Sequence, residues 1–263
     1  MLEKNEKKLY FDAHFHYFEC KNDKNLPFPK NYTGISCFHS INEYNFFEKN
    51  IEECKSDYQT ENIKIYSSYG LHPQSAEFID IEKNLEFLEK LLQQNKLSAI
   101  GETGFDFFTQ NFKNHKEKQE KMFNGQLDLA IKYNKPIVIH CRKANEKLFE
   151  YSKQLKKLPS VLFHSFMGMP NEAFSLLNRG INGFFSFGKQ MSNGNKKVIA
   201  CVKELPVDVL LLETDAPFQT LKNEEFTSPQ DIEKIYDAFF ELRNIEKNYQ
   251  MFEKNFAKFL CEN

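Results

Sequence analysis

PIVIHCRKANEKLFEYSKQLKKL (136–158) decides how the whole chain reads. Pro136 opens a strand rather than interrupting one, because the first residue of a strand can do without its N–H. Ile137, Val138 and Ile139 follow without a polar break, as expected of a parallel strand covered on both faces. The run ends on His140 and passes into NEKLFEYSKQLKKL, whose apolar residues recur at helical spacing.

The same unit recurs along the sequence. Apolar runs stand at LYFDA (9–13), GISCF (34–38), IYSSY (65–69), LSAIG (97–101), SVLFH (160–164), INGFFSF (181–187) and DVLLLE (208–213). Helical patterns lie between them at NEYNFFEKNIEEC (42–54), IEKNLEFLEKLLQQ (81–94), HKEKQEKMFNGQLDLAIKY (115–133) and NEAFSLLNRG (171–180). Two closing helices are expected over 229–244 and 248–263. Eight strand candidates, each followed by helix, predict a (β/α)8 TIM barrel forming a single domain over 1–263. A doubly wound open sheet is the alternative, since periodicity does not show closure. CKNDKNLPFPKN (20–31) and FGKQMSNGNKKV (187–198) read as loops.

Composition excludes several classes. The 35 basic and 37 acidic residues give a net charge of -2, which argues against coating nucleic acid by bulk charge and leaves only a local basic rim. The six cysteines are scattered with no CxxC pair, so neither a disulfide framework nor a structural zinc site is expected. The sequence begins without a signal-peptide pattern and holds no apolar run of membrane-spanning length, so a reduced, cytoplasmic protein is expected.

The histidines and acids fall on the strand ends. His14 and His16 end the first strand, His140 the fifth and His164 the sixth. His39 follows the second strand and His72 the third, while Glu102 closes the fourth and Glu213 and Asp215 the eighth. In parallel α/β folds these ends gather at one face. Crowded imidazoles and carboxylates there require a positive partner, and nitrogen and oxygen donors suit zinc, manganese or magnesium. Period two lets His14 and His16 point inward while Phe15 packs outward. His39 and His115, each a lone histidine, read as hydrogen-bonded side chains. Asp12 reads as an acceptor for a histidine or for the backbone.

DAHFH (12–16), GLHP (70–73), AIGETGFDFF (99–108), PIVIHCR (136–142), LFHSFMG (162–168) and ETDAP (213–217) occur in that order over nearly the full length. With these segments the chain resembles the TatD family of metal-dependent deoxyribonucleases, a branch of the amidohydrolase-like TIM barrels. The resemblance implies two divalent ions, with a third in some cases. His14, His16, Glu102 and Asp215 would hold the first. Glu102 would bridge to a second, held also by His140 and His164. It further implies His72 facing a substrate phosphate, and Arg142 and Asp106 near the mouth. On this reading Asp215 accepts a proton from the attacking water and Glu102 fixes the separation of the ions. The expected substrate is DNA, single-stranded or at frayed 3′ ends, cut in a 3′-5′ exonuclease mode.

Two stretches depart from the family pattern. Tyr17 and Phe18 stand where relatives carry Leu-Asp, and FQTLKNEEFTSPQD (218–231) lacks the family's arginine-rich loop, so the rim of the site is where substrate preference would differ. Lys189, Lys196 and Lys197 are candidates to hold backbone phosphates, against a plain solvated loop. An amidohydrolase cleaving amides or esters with the same cage is the alternative activity. Glu102 at the bridging position, where a carbamylated lysine would favour that chemistry, tilts against it. A non-catalytic binding protein is disfavoured because every proposed ligand is present.

Overall fold

The computed structural model of the protein describes residues 8–53 and 61–262. Eight strands follow one another: β1 Tyr10–Phe15, β2 Tyr32–Phe38, β3 Ile63–Tyr69, β4 Ala99–Asp106, β5 Ile137–Arg142, β6 Val161–Phe163, β7 Gly183–Phe187 and β8 Leu210–Leu212. All neighbours pair in parallel and in chain order, so the apolar runs form one eight-stranded sheet. The principal helices are α1 Ile41–Glu53, α2 Ile81–Gln93, α3 Lys116–Lys132, α4 Asn145–Glu150, α5 Pro170–Asn178, α6 Lys196–Glu204, α7 Ile232–Arg243 and α8 Gln250–Leu260.

The sheet curls into a barrel whose last gap is closed by a polar seam just past β8. The Asp215 N–H donates to the His14 carbonyl at 2.9 Å, and the His16 N–H to the Ala216 carbonyl at 2.8 Å. The buried Asp12 carboxylate accepts from the Thr214 N–H at 2.9 Å, from the Thr214 hydroxyl at 2.6 Å and from the Tyr32 hydroxyl at 2.9 Å. It also lies 3.3 Å from the His14 N–H. Asp12 therefore serves the backbone and two hydroxyls rather than a histidine ring. The closing helices brace the same seam, for the Tyr236 hydroxyl bonds both the N–H of Phe11 (2.9 Å) and its carbonyl (3.2 Å).

Two irregularities aim side chains at the barrel mouth. The pairing register slips between Asp12 and Phe15 on β1, and between Ile100 and Thr103 on β4. Such bulges re-aim side chains next to functional sites, and these contain His14 and Glu102. On β4 the slip depends on glycine. Gly101 and Gly104 take φ of 141° and 134°, and a Cβ at either would stand 2.5 Å or 2.0 Å from the carbonyl oxygens of Val138 and His140. No side chain larger than hydrogen lets β4 lie this close to β5.

Four expectations for the course of the chain change. The 187–198 stretch is not all loop: Asn195 caps α6, its side chain accepting from the N–H groups of Lys197 and Val198. The helix expected over 145–158 breaks at Tyr151, which separates α4 from a turn at Ser152–Leu155. The loop at 20–31 begins with a π-helical turn, Glu19–Asp23. Tyr17 is buried against Phe47 (5.3 Å between centroids) and Phe18 packs on Phe46 (5.1 Å), so the first departure from the family pattern belongs to packing with α1 rather than to the rim. Phe15 packs outward on Phe28 and Tyr32, as period two requires. Cys20, Cys37, Cys141, Cys201 and Cys261 are free thiols, and Cys54 lies outside the described residues. No helix among the described residues is long and apolar enough to cross a membrane.

Candidate metal centre

Glu102 sits at the centre of the C-terminal mouth, with its two carboxylate oxygens serving two sets of imidazoles. Oε2 lies 3.2 Å from His14 Nε2. Oε1 lies 2.7 Å from His140 Nδ1, 2.9 Å from His164 Nε2 and 3.2 Å from His72 Nε2. Asp215 Oδ1 completes the β1 side, 3.2 Å from His16 Nε2 and 3.4 Å from His14 Nε2. The structure thus converges the six residues expected as ligands, His14, His16, Glu102, His140, His164 and Asp215. The seam brings His14, His16 and Asp215 together, and Asp215 turns the chain with a left-handed φ of 52°.

The charges in this cluster are out of balance. Burial opposes ionisation of Glu102, yet His164, His72 and His14 hold its carboxyl well below the usual range. Burial likewise opposes ionisation of Asp215, and His14 and His16 overcome it and pull its pKa down. Burial and His14 work against a proton on His164, but Glu102 and Glu213 outweigh them and push it up to about 10. Two ionised carboxylates inside the cage therefore draw positive charge inward. A divalent ion supplies that charge without occupying the nitrogen lone pairs with protons.

The outer nitrogen of each ring decides which inner nitrogens are free to ligate. A metal-ligating histidine gives its other N–H to an acceptor, which fixes the tautomer. His140 Nε2 faces Asp106 Oδ2 at 3.2 Å, leaving Nδ1 toward the cage. His164 Nδ1 is buried with no hydrogen-bond partner, and Glu213 Oε2 stands 3.5 Å away. His14 Nδ1 lies 3.3 Å from Cys37 Sγ. These donor sets fit divalent ions. His72 differs although it is near enough to be grouped with Glu102 and His140. Its Nδ1 accepts from the Gln74 N–H at 3.3 Å, which leaves the hydrogen on Nε2 and makes that atom a donor to Glu102.

A cavity of about 530 Å³ opens above the cage. Arg142 is the one lysine or arginine on its wall among the described residues. Its guanidinium lies 3.6 Å over the ring of Phe108, itself 51% exposed. Phe218 stands 49% exposed with its ring steeply tilted to that of His16 at 79°, 4.9 Å between centroids. The expectation for Lys189 is overturned. It is 5% exposed and pinned between Glu224 Oε2 at 2.7 Å and Asp231 Oδ2 at 2.9 Å, so it straps the 218–231 loop to the barrel and cannot reach a phosphate. Lys196 and Lys197 begin α6 on the surface. His39, read from the sequence as a lone hydrogen-bonded histidine, lines the cavity with Nε2 3.2 Å from His16 Nδ1. His115 stays away from the site, bonded to the Asn111 carbonyl.

Comparisons with known proteins give the family and the fold. A family profile described as TatD related DNase matches residues 11–260. YabD of Bacillus subtilis, described as an uncharacterised metal-dependent hydrolase, is 36% identical over 159 residues, covering 59% of this chain and 60% of that protein. The 3′-5′ ssDNA/RNA exonuclease TatD of Pantoea ananatis is 32% identical over 156 residues, 58% of each chain. The matched stretches span less than two thirds of either relative's length. Among solved structures, YJJV of Escherichia coli K12, a TatD homologue, superposes with a TM-score of 0.78 at 24% identity, covering 95% of this chain and 97% of that one. That likeness carries the barrel fold.

Proposed function

The chain belongs to the family of TatD related DNases, and from that premise we propose a divalent-metal-dependent hydrolase that cleaves phosphodiester bonds of DNA from 3′ ends. The observation that carries the reading is Glu102, whose two oxygens are divided between His14 on one side and His140 and His164 on the other. That division suits two ions, magnesium, manganese or zinc. His14, His16, Asp215 and Glu102 would hold one, and Glu102, His140 and His164 the other. When bound, such ions supply Lewis acidity, which makes water a nucleophile near neutral pH and neutralises charge building on phosphoryl oxygens.

The side chains supply the rest. Asp215 stays ionised and accepts the proton of the attacking water. Glu102 sets the separation of the two ligand groups. His72 offers its Nε2–H beside Glu102 to a phosphoryl oxygen. Asp106 holds His140 in the ligating tautomer, and Glu213 Oε2 lies 3.5 Å from the outer nitrogen of His164.

Substrate form follows from the mouth. With Arg142 the single arginine or lysine on the cavity wall among the described residues, long duplex tracking has little electrostatic support. The exposed ring of Phe218 suits stacking of an unpaired base, which any base can make. A single strand or a frayed 3′ end is therefore the favoured substrate. A cytoplasmic setting accords with the free, scattered cysteines.

The test is digestion of 3′- and 5′-labelled single-stranded DNA by the wild-type protein and by Asp215→Asn, under magnesium, manganese and zinc in turn. Shortening from the 3′ end by the wild type alone is expected. An inert wild type under all three ions, with metal bound, refutes the nuclease reading and leaves amide or ester cleavage.

A further inference from the structure

His39 has no counterpart in the ligand set, yet it lies against one of its members. His16 Nε2 faces Asp215 and His14, and its other nitrogen, Nδ1, lies 3.2 Å from His39 Nε2. Two neutral imidazoles in nitrogen-to-nitrogen contact share one hydrogen, so one ring donates and the other accepts. If His39 donated, His16 Nδ1 would be the acceptor, the His16 hydrogen would sit on Nε2, and that atom could not ligate. If His39 accepts, His16 carries its hydrogen on Nδ1 and presents a bare Nε2 to the cage. The hydrogen of His39 then sits on Nδ1, which is buried with no hydrogen-bond partner.

We propose that His39 is a positioning residue whose Nε2 accepts from His16 Nδ1–H and thereby fixes the tautomer and orientation of His16 as a metal ligand. The inference rests on the metal-hydrolase reading but concerns metal affinity rather than cleavage. The backbone is placed for it: the His39 N–H is anchored by Glu43 Oε2 at 2.7 Å, and Glu43 also accepts from the Ser40 hydroxyl at 2.8 Å at the start of α1. An imidazole in this place differs from the usual carboxylate because it orients the ligand without adding negative charge.

The test compares His39→Leu, which cannot accept a hydrogen bond, with His39→Gln, whose carbonyl can. Affinity for cobalt(II) or zinc is read by competition with a chromogenic chelator, with no nucleic acid present, and folding is checked by circular dichroism. His39→Leu is expected to weaken metal binding about 10–100-fold, the usual cost of losing an outer partner, and His39→Gln to recover most of it. The cobalt d–d spectrum should change in the leucine variant and return in the glutamine one. Equal affinity in the folded leucine variant and the wild type overturns the proposal, as does failure of glutamine to improve on leucine. A measurement on the wild type removes dependence on any variant. Long-range nitrogen-15 NMR of the zinc-loaded protein should show a protonated Nδ1 on His16 and an unprotonated Nε2 on His39, and a protonated His39 Nε2 overturns it. Loss of metal affinity without any nuclease activity in the wild type would refute the substrate reading and leave this one standing.

Discussion

Replacing Asp12 tests how the barrel is closed, and the structure sets the size of the effect. In Asp12→Ala, four buried donors lose their acceptor: the Thr214 N–H, the Thr214 hydroxyl, the Tyr32 hydroxyl and, at 3.3 Å, the His14 N–H. Thr214 and Tyr32 are fully buried, so water does not replace the carboxylate. Each orphaned donor costs about 1–3 kcal/mol. Against this, burial of the carboxyl is itself unfavourable and pushes its pKa up to about 7, despite the hydrogen bonds from Thr214, Tyr32 and His14. The net loss is then about 3–6 kcal/mol. That should lower Tm by roughly 6–20 °C for a domain of this size. Asp12→Asn keeps an acceptor for the Thr214 N–H, and both hydroxyls can rotate to accept from its amide, so its loss should stay within about 2 kcal/mol. Urea titration or calorimetry of the three proteins reads the difference. Equal losses in the alanine and asparagine variants, or an alanine variant within about 1 kcal/mol of wild type, would refute the idea that the seam hangs on this acceptor.

Other outcomes follow from the rim and the strap. Phe218→Ala should raise KM for a single-stranded oligonucleotide about 5–100-fold, the worth of one stacked base, and lower kcat far less; an unchanged KM removes Phe218 from the substrate path. Lys189→Met should cost about 1–3 kcal/mol near neutral pH, less than a fully buried pair because Glu224 is 31% exposed. The lysine contact helps hold Glu224 below the usual carboxylate range, and contacts from Lys234 and Lys189 do so for Asp231 against the effect of burial. Groups lowered on folding contribute stability above their unfolded pKa, near 4, and lose it as pH falls through the folded values. The gap between wild type and Lys189→Met should therefore narrow below about pH 4, and urea midpoints showing the same gap in acid and at neutrality contradict the ion-pair account.

Much of this was legible in the sequence, for a physical reason. Parallel strands covered on both faces are largely apolar, so runs such as PIVIH and DVLLLE mark themselves. Their polar last residues stand out because polar residues inside a strand are few and, like Asp12, must be hydrogen-bonded. His14, Glu102, His140, His164 and Asp215 could be assigned to one face from strand ends alone. What stayed hidden depends on contacts between distant residues. Lys189 looked like a free loop cation because its partners, Glu224 and Asp231, follow 35 and 42 residues later. His39 carried no motif, and only the pairing of β1 with β2 sets it beside His16. The helix Lys196–Glu204 was masked by SNGN, whose last asparagine proves to be its cap. Tyr17 and Phe18 looked like rim residues because they follow His16, but the chain turns there and buries Tyr17.

On the proposed function, Glu102 divides one cage between two divalent ions. Anomalous diffraction from crystals equilibrated with manganese or zinc tests it directly. Two peaks are predicted, one within about 2.0–2.2 Å of donor atoms of His14, His16, Asp215 and Glu102, the other at the same range from Glu102, His140 and His164. Peaks confined to the surface, or a cage that stays empty at saturating metal, would contradict it.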